Sequence, residues 1–469
     1  MKPLQKSKSS AKRTLHEEKI WEHLQKFSFL YFPLLLITTL TIPLLRNYLL
    51  GKPLLMGPES YYWLSLAQTT TLTFQPFLLL LKIIPDYLLF LLSPILSLFS
   101  LFLFLILSKK KSWNYRITFP FLFFLIISPS FIFAAVTLSA YLFCLFLLLI
   151  GFSFLSSNKK WVKIIVALPF LFLTTFDLLT TILTILLLLL WIKEEKKHLF
   201  LLIPGLMLCS QLLQSFFLSA HFILGPFAFT SRIPALLSDL GGVSGLGFSL
   251  VLLAFLGLGT SWPRKKWFSS YLFLLLLGGA FIYNNQALFY LNLIIIFFAA
   301  TAFRWLLAHQ WTHETLRSFT LLLIFLSLVF STLAYLDRIN LEVGPFAPEK
   351  EILTEIKEQI RPTQIIFSSP ENSYYIRYFA EREPFLSPHL DSLNSPKSKI
   401  ADEIFASTYI TATFPILKKN ELSWFYFTPK MKEIYPAEQG LFFLLRNERF
   451  KLIRSSEDYE AWMWKEEGE

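Results

Sequence analysis

Residues 87–116 read YLLFLLSPILSLFSLFLFLILSKKKSWNYR. Positions 87–108 hold no charge, and Lys109, Lys110 and Lys111 follow at once. At about 1.5 Å of rise per residue, a helix over 87–107 spans the roughly 30 Å hydrocarbon core of a bilayer, and the lysines stop it at a membrane surface. Apolar runs of this kind recur. The reading places eleven spans near 27–45, 87–107, 117–134, 136–155, 162–176, 178–192, 199–218, 244–260, 269–283, 286–303 and 318–336. Composition agrees: 54% of the 469 residues are hydrophobic and 16% are charged, against about 25% charged in a soluble domain.

The charge resolves by position. The formal net charge is +11. Residues 342–469 carry 16 Lys/Arg and 21 Asp/Glu, whereas the first 341 carry 27 and 11. With the N-terminus inside, the inside segments hold 22 Lys/Arg and the outside segments five, namely Arg46, Lys52, Lys82, Arg232 and Arg338. That asymmetry is the positive-inside signature of a membrane protein and points away from nucleic acid as a partner. The expected class is thus a polytopic α-helical membrane protein with about 11 transmembrane helices, N-terminus inside, and a C-terminal extracytoplasmic α/β domain. Three regions follow: a basic cytoplasmic segment 1–26 leading into a retained signal anchor, a transmembrane domain 27–341, and a soluble domain 342–469. Cys144 and Cys209 both fall in apolar runs, so no disulfide framework is available.

The tail alternates periods. PEKEILTEIKEQI, ENSYYIRYFAER, KSKIADEIFAS, ITATFPILKK and GLFFLLRNE predict helices; TQIIF, SWFYFT, FKLIRS and EAWMWK predict strands. It has no Gly-rich phosphate loop, His/Cys cluster or nucleophile elbow.

Five carboxylates fall outside: Glu59, Asp86, Asp177, Asp239 and Asp337. Acids at a membrane surface away from basic clusters are functional candidates. Glu59 stands out, following Gly57-Pro58 and preceding Tyr61, Tyr62 and Trp63 in the outer loop 46–86, where the spacing predicts a short helix after Pro58. Taken alone, a helix N-terminal carboxylate beside an aromatic belt explains it equally well. Asp86 and Asp177 sit where N-caps are expected. Asp239 precedes a Gly-rich helix start whose Gly241 and Gly245 have the spacing of small residues in helix packing. Arg232, in the outer loop 219–243, either meets a lipid phosphate or snorkels to headgroups. His221 is a metal or proton-transfer candidate against a simple solvated role.

The stretch GKPLLMGPESYYWLSLA, residues 51–67, resembles the first-loop pattern of archaeal members of the GT-C glycosyltransferase superfamily, roughly G-x-P-[FL]-[LI]-x-G-x-[ED]-S-Y-Y-H-L-R. The pattern's key acid falls on Glu59; its His and Arg are Trp63 and Ser65 here. ISPSFIFAAVTLSAYLFCLFLLLIGF, SDLGGVSGLGFSLVLLAFLGLG and RPTQIIFSSPENSYYIRYFAEREPFLSP are similar to further parts of such proteins. The loop between the third and fourth spans lacks the acidic pair of metal-using relatives. The resemblance implies hexosyl transfer from a polyprenyl-phosphate or diphosphate sugar to a glycan or protein acceptor at the outer face of the cell membrane. Glu59 would be general base or ligand of a divalent Mg or Mn ion, Asp177 and Asp239 supporting acids, and Arg232, Tyr61, Tyr62 and His221 substrate contacts. The alternative is a catalytically degenerate scaffold binding lipid-linked glycans in envelope assembly. A transporter ranks last, since paired broken helices and mid-span charges are missing.

Overall fold

The computed structural model describes residues 8–69, 75–156, 167–195, 202–217, 236–262, 268–283, 287–386, 395–434 and 440–465. They form two compact units. One comprises the described residues of Met1–Leu45, Leu91–Phe222 and Phe227–Glu342; the other comprises those of Arg46–Phe90 and Val343–Glu469. The second unit is therefore discontinuous in sequence, because residues 46–90 belong to it together with the tail.

Helices in chain order are α1 (Lys8–Leu49), α2 (Pro58–Thr69), α3 (Pro76–Ile83), α4 (Leu89–Lys110), α5 (Tyr115–Ile127), α6 (Pro129–Val136), α7 (Ala140–Leu155), α8 (Ala167–Leu173), α9 (Leu178–Glu195), α10 (Leu202–Phe217), α11 (Phe248–Ser261), α12 (Phe268–Tyr283), α13 (Ala287–Ala308) and α14 (Glu314–Glu342). Except for α2 and α3, each overlaps one of the expected spans. Four stretches of the described residues are long and apolar enough to cross a membrane: Trp21–Leu49, Asp86–Lys110, Ala287–Ala308 and Glu314–Gln359. The helices α5 and α6 pass the same test only together, as a pair bent by 59°, the form of a broken span or a re-entrant loop. The bend has a local cause. Pro129 excludes the helical conformation at Ser128, which is extended at φ −71° and ψ 128°. The freed Ser128 hydroxyl donates to Asn292 Oδ1 of α13 at 2.9 Å, pairing two fully buried polar groups. The remaining apolar helices, α7 and α9–α12, are shorter, each held by packing in the bundle; α13 touches α5, α11 and α12.

In the second unit, α15 (Ala347–Gln359) leads into a five-stranded sheet of order β2-β1-β3-β5-β4. Its strands are β1 (Ile365–Phe367), β2 (Glu383–Pro384), β3 (Leu422–Phe427), β4 (Phe450–Ser456) and β5 (Tyr459–Trp464). β1 pairs in parallel with β2 and β3, while β5 is antiparallel to both β3 and β4. The short helix α16 (Ser373–Tyr375) continues as a π turn over Ile376–Ala380. Then come α17 (Pro396–Ala406), α18 (Ile410–Lys419), α19 (Pro429–Ile434) and α20 (Gly440–Leu444). Phe367, Leu417, Leu422, Phe427 and Leu441 are fully buried at the centre of the core. The expected tail helices and strands are all present. β2 and α19 are additions, two and six residues long, too short for a periodic signal.

Candidate functional site

The site is built where α2 meets the Ser373–Ala380 segment, both in the second unit. Gly57 turns the chain into α2 at φ 84°, a conformation other L-residues adopt only with strain. Its amide donates to the Gly344 carbonyl at 2.7 Å. Pro58 is the first helical residue, where its missing N–H costs nothing. Glu59 thus lies in the first turn of a 12-residue helix. The next residue, Ser60, is fully buried and its hydroxyl donates to the Met56 carbonyl, locking the turn that carries Glu59.

Two Ser-Tyr-Tyr triplets, 60–62 and 373–375, then interlock. Tyr61 and Tyr375 stack edge-on at 5.3 Å, as do Tyr62 and Tyr374 at the same separation. Tyr61 also meets Tyr378 and Phe379, at 5.1 and 5.0 Å. Such pairs add about 0.5–1.5 kcal/mol each beyond area burial. Tyr61 is 3% exposed and its hydroxyl donates to the Leu55 carbonyl at 3.1 Å. Tyr62 is half-buried.

The electrostatics follow from this crowding. Glu59 is half-buried, and burial pushes its carboxyl above the usual carboxylate range. The helix dipole favours the ionised form, but by a smaller amount. Burial also pushes the Tyr374 hydroxyl up; Tyr62 and Glu59 add to this, and Arg377 opposes it. Tyr62 is likewise raised by burial against the pull of Arg377. Arg377 Nη2 donates to Glu383 Oε1 at 2.9 Å, leaving its side chain 27% exposed. The site therefore combines a raised carboxyl, two hydroxyls and a guanidinium.

The same unit holds a fully buried acid at the start of α15. Glu349 is 3% exposed. Its Oε1 accepts from the Tyr426 hydroxyl at 3.2 Å and its Oε2 from the Phe346 amide at 3.4 Å, closing the N-terminus of α15. Burial pushes it up to about 7 despite those two bonds.

Of the other expected acids, Asp177 and Asp239 lie in the first unit and Asp86 in the second. Asp177 is an N-cap: its Oδ1 accepts from the Thr180 amide at 2.5 Å at the start of α9. Asp239 accepts from the Phe248 amide at 2.6 Å and the Ser331 hydroxyl at 2.8 Å, capping α11 and tying its approach loop to α14. Arg338 completes that staple, donating to the Ser238 and Gly242 carbonyls. Gly241 and Gly245 correct the expectation of helix packing, since neither is helical. Gly241 is left-handed at φ 110°, and a Cβ on Gly245 would sit 2.4 Å from the Ser238 amide, so these glycines fold a tight loop. Asp86 is exposed in a 3-10 turn. Arg232 and His221 lie outside the described residues.

Among the described residues, no three His, Cys, Asp or Glu side chains gather as a metal ion would need, so the expected Mg or Mn ion finds no ligand set there. Sequence reasoning missed Tyr374, Arg377 and Glu349. The repeated Ser-Tyr-Tyr triplet was the one signal that pointed to the first.

No family model matches the sequence, and no curated protein sequence matches it. Solved structures do. The archaeal oligosaccharyltransferase AglB from Archaeoglobus fulgidus, in complex with an inhibitory peptide and a dolichol-phosphate, aligns at TM-score 0.54 and 11% identity, over 94% of this chain and 75% of that one. The Archaeoglobus fulgidus oligosaccharyltransferase tethered to an acceptor peptide containing the NVT sequon aligns at 0.54 and 12%, over 94% and 74%. The complex of that oligosaccharyltransferase with Zn and sulfate aligns at 0.50 and 12%, over 88% and 69%. The chain shares the fold of these archaeal oligosaccharyltransferases.

Proposed function

We propose that the chain is a GT-C-type membrane glycosyltransferase that moves a sugar from a polyprenyl-phosphate or diphosphate donor to a glycan or protein acceptor. In this reading the spans run as the charge asymmetry orients them, with the N-terminus cytoplasmic and the tail on the extracytoplasmic face of the cell membrane. The observation that carries the proposal is the setting of Glu59: a half-buried, raised carboxyl at a helix N-terminus, held in place by the tail's tyrosines, on a fold shared with oligosaccharyltransferases.

Glu59 acts as general base. The acceptor's nucleophilic oxygen or nitrogen forms a bond to the sugar's anomeric carbon while the bond from that carbon to the phosphate oxygen breaks. The acceptor proton passes to Glu59, and the electron pair of the broken bond leaves on the lipid phosphate. A base whose pKa is lifted toward the working pH is better matched to this transfer than an ordinary carboxylate. Asp177 and Asp239, assigned as supporting acids from sequence, serve here as helix caps, and Tyr62 remains as the substrate-facing tyrosine. The direct test supplies purified protein with a polyprenyl-linked hexose and acceptor peptides or glycans; consumption of the lipid-linked sugar supports the reading.

A second reading is a scaffold that binds the lipid-linked glycan without turnover. Trp63 favours it: where the superfamily pattern has His, the indole packs edge-on against Phe77 at 5.5 Å. Tight binding of the lipid-linked sugar with no consumption selects the scaffold.

A further inference from the structure

We propose that Glu349, on α15 of the tail, is a positioning residue for Glu59 and acts through the turn Gly344–Phe346, whose first carbonyl holds Gly57 at the entry to α2. The inference rests on the reading of Glu59 as the general base. It assigns to the tail the orientation of an acid that lies 290 positions earlier in the chain.

Gly57 uses both of its peptide groups. Its amide donates to the Gly344 carbonyl at 2.7 Å, and its own carbonyl accepts from the Ser60 amide at 3.1 Å at the start of α2. Met56, Gly57 and Ser60 are buried, so the half-buried Glu59 stands on a turn anchored at the Gly344 peptide. Glu349 fixes that anchor from the other side. Its Oε2 accepts from the Phe346 amide at 3.4 Å and its Oε1 from the Tyr426 hydroxyl at 3.2 Å, so one carboxyl ties the turn to β3. A Cβ added to Gly344 would lie 3.2 Å from Glu349 Oε2 and 3.2 Å from the Tyr375 hydroxyl, closer than ordinary van der Waals contact. Tyr375 in turn stacks edge-on with Tyr61 at 5.3 Å. Glu59 therefore lies midway between two residues that the tail holds, Gly57 through Gly344 and Tyr61 through Tyr375, and both Glu349 and Tyr375 close on Gly344. The Lys52 ammonium over the Phe346 ring, at 4.7 Å, adds a contact between the same turn and the chain ahead of α2.

Capping alone does not require this arrangement. An exposed glutamate at the same helix position closes a capping box, whereas a carboxyl that is 3% exposed has lost its hydration and depends on fixed donors. Burial adds a rigid link from the sheet through Tyr426, Glu349 and Phe346 to Gly344 and Gly57. Without it Gly344 is free to shift, and a base displaced by about 1 Å from the proton it takes loses on the order of a hundredfold in rate.

The test takes the full-length protein in phosphatidylcholine nanodiscs through two readouts, backbone amide exchange at Gly57 and Ser60 and sugar transfer from a polyprenyl-linked hexose. Glu349→Leu, which keeps the bulk and removes both acceptors, is expected to speed exchange at those two amides about tenfold or more while α13 of the first unit stays unchanged. In the same variant kcat per folded molecule is expected to fall about tenfold or more, with KM for the donor within about twofold. Glu349→Gln, whose amide oxygen still accepts from Phe346 and whose amide nitrogen donates to the Tyr426 hydroxyl, is expected to recover most of both. Gly344→Ala leaves Glu349 in place and crowds it; it is expected to act like Glu349→Leu and keeps the test decisive if that variant folds poorly. Wild-type exchange at Gly57 and Ser60 in folded Glu349→Leu or Gly344→Ala overturns the proposal, as does a loss in Glu349→Gln equal to that in Glu349→Leu. Faster exchange spread evenly over the second unit, with kcat unchanged, reduces Glu349 to a stabilising cap and overturns it too. Glu349-dependent exchange at Gly57 in a protein that transfers no sugar defeats the reading of Glu59 as base and leaves the positioning of its turn standing; Glu59-dependent transfer that Glu349→Leu leaves unchanged does the reverse.

Discussion

The rings of Tyr62 and Tyr374 meet edge-on at 5.3 Å and an interplanar angle of 62°, across 312 positions of sequence. This contact and its neighbour between Tyr61 and Tyr375 join α2, which carries Glu59, to the tail within one unit. The acid proposed for chemistry is therefore positioned by residues from the far end of the chain.

That relationship predicts a split between two substitutions. Tyr374→Ala removes a buried ring and is expected to cost about 3–5 kcal/mol, as aromatic-to-alanine changes in cores do, lowering both the unfolding temperature and sugar transfer. Tyr374→Phe keeps the ring and is expected to keep the stability. Thermal unfolding of the full-length protein checks both; equal losses would show that the hydroxyl, and not the packing, holds α2.

Glu349 gives a pH signature. Its pKa rises from 4.5 to about 7 on folding, so the native state holds the proton more tightly than the unfolded chain. Stability then falls as pH climbs from about 4.5 to about 7 and levels off above that, by a few kcal/mol at about 1.4 per pH unit. Glu349→Gln is expected to flatten this slope. Unfolding midpoints at pH 5 and pH 8 decide it, and equal drops in both proteins would count against a buried, protonatable Glu349.

Asp239 is expected to matter for stability and little for chemistry. Asp239→Ala loses the Phe248 cap and the Ser331 bond and is expected to cost about 1–2 kcal/mol. Transfer per folded molecule should stay near wild type. A loss of a hundredfold or more in folded protein would return Asp239 to the reacting groups.

How much of this was readable from residues alone depends on range. The apolar runs and the tail's alternating periods are local patterns, so the helices from α4 to α14 and strands β1, β3, β4 and β5 were legible. Glu59 was legible too, through a short motif. The pairing of its loop with Ser373–Ala380 was not, because aromatic contacts between distant segments leave no periodic trace. Gly241 and Gly245 misled for a related reason: small residues four apart suit helix packing and tight loops alike, and only the position of Ser238 against Gly245 separates them. Glu349 left no signal in the sequence, because its partner Tyr426 comes from β3, 77 positions further on.

The central claim concerns Glu59, whose raised carboxyl predicts that transfer increases with pH and that its midpoint lies above the ordinary carboxylate range. The most direct measurement is sugar transfer from a polyprenyl-linked hexose by purified wild-type protein and by Glu59→Gln, with folding of both confirmed by thermal unfolding. The account predicts turnover in the wild type and a loss of about 10²–10⁴-fold in Glu59→Gln. Wild-type turnover in the folded Glu59→Gln protein would contradict it.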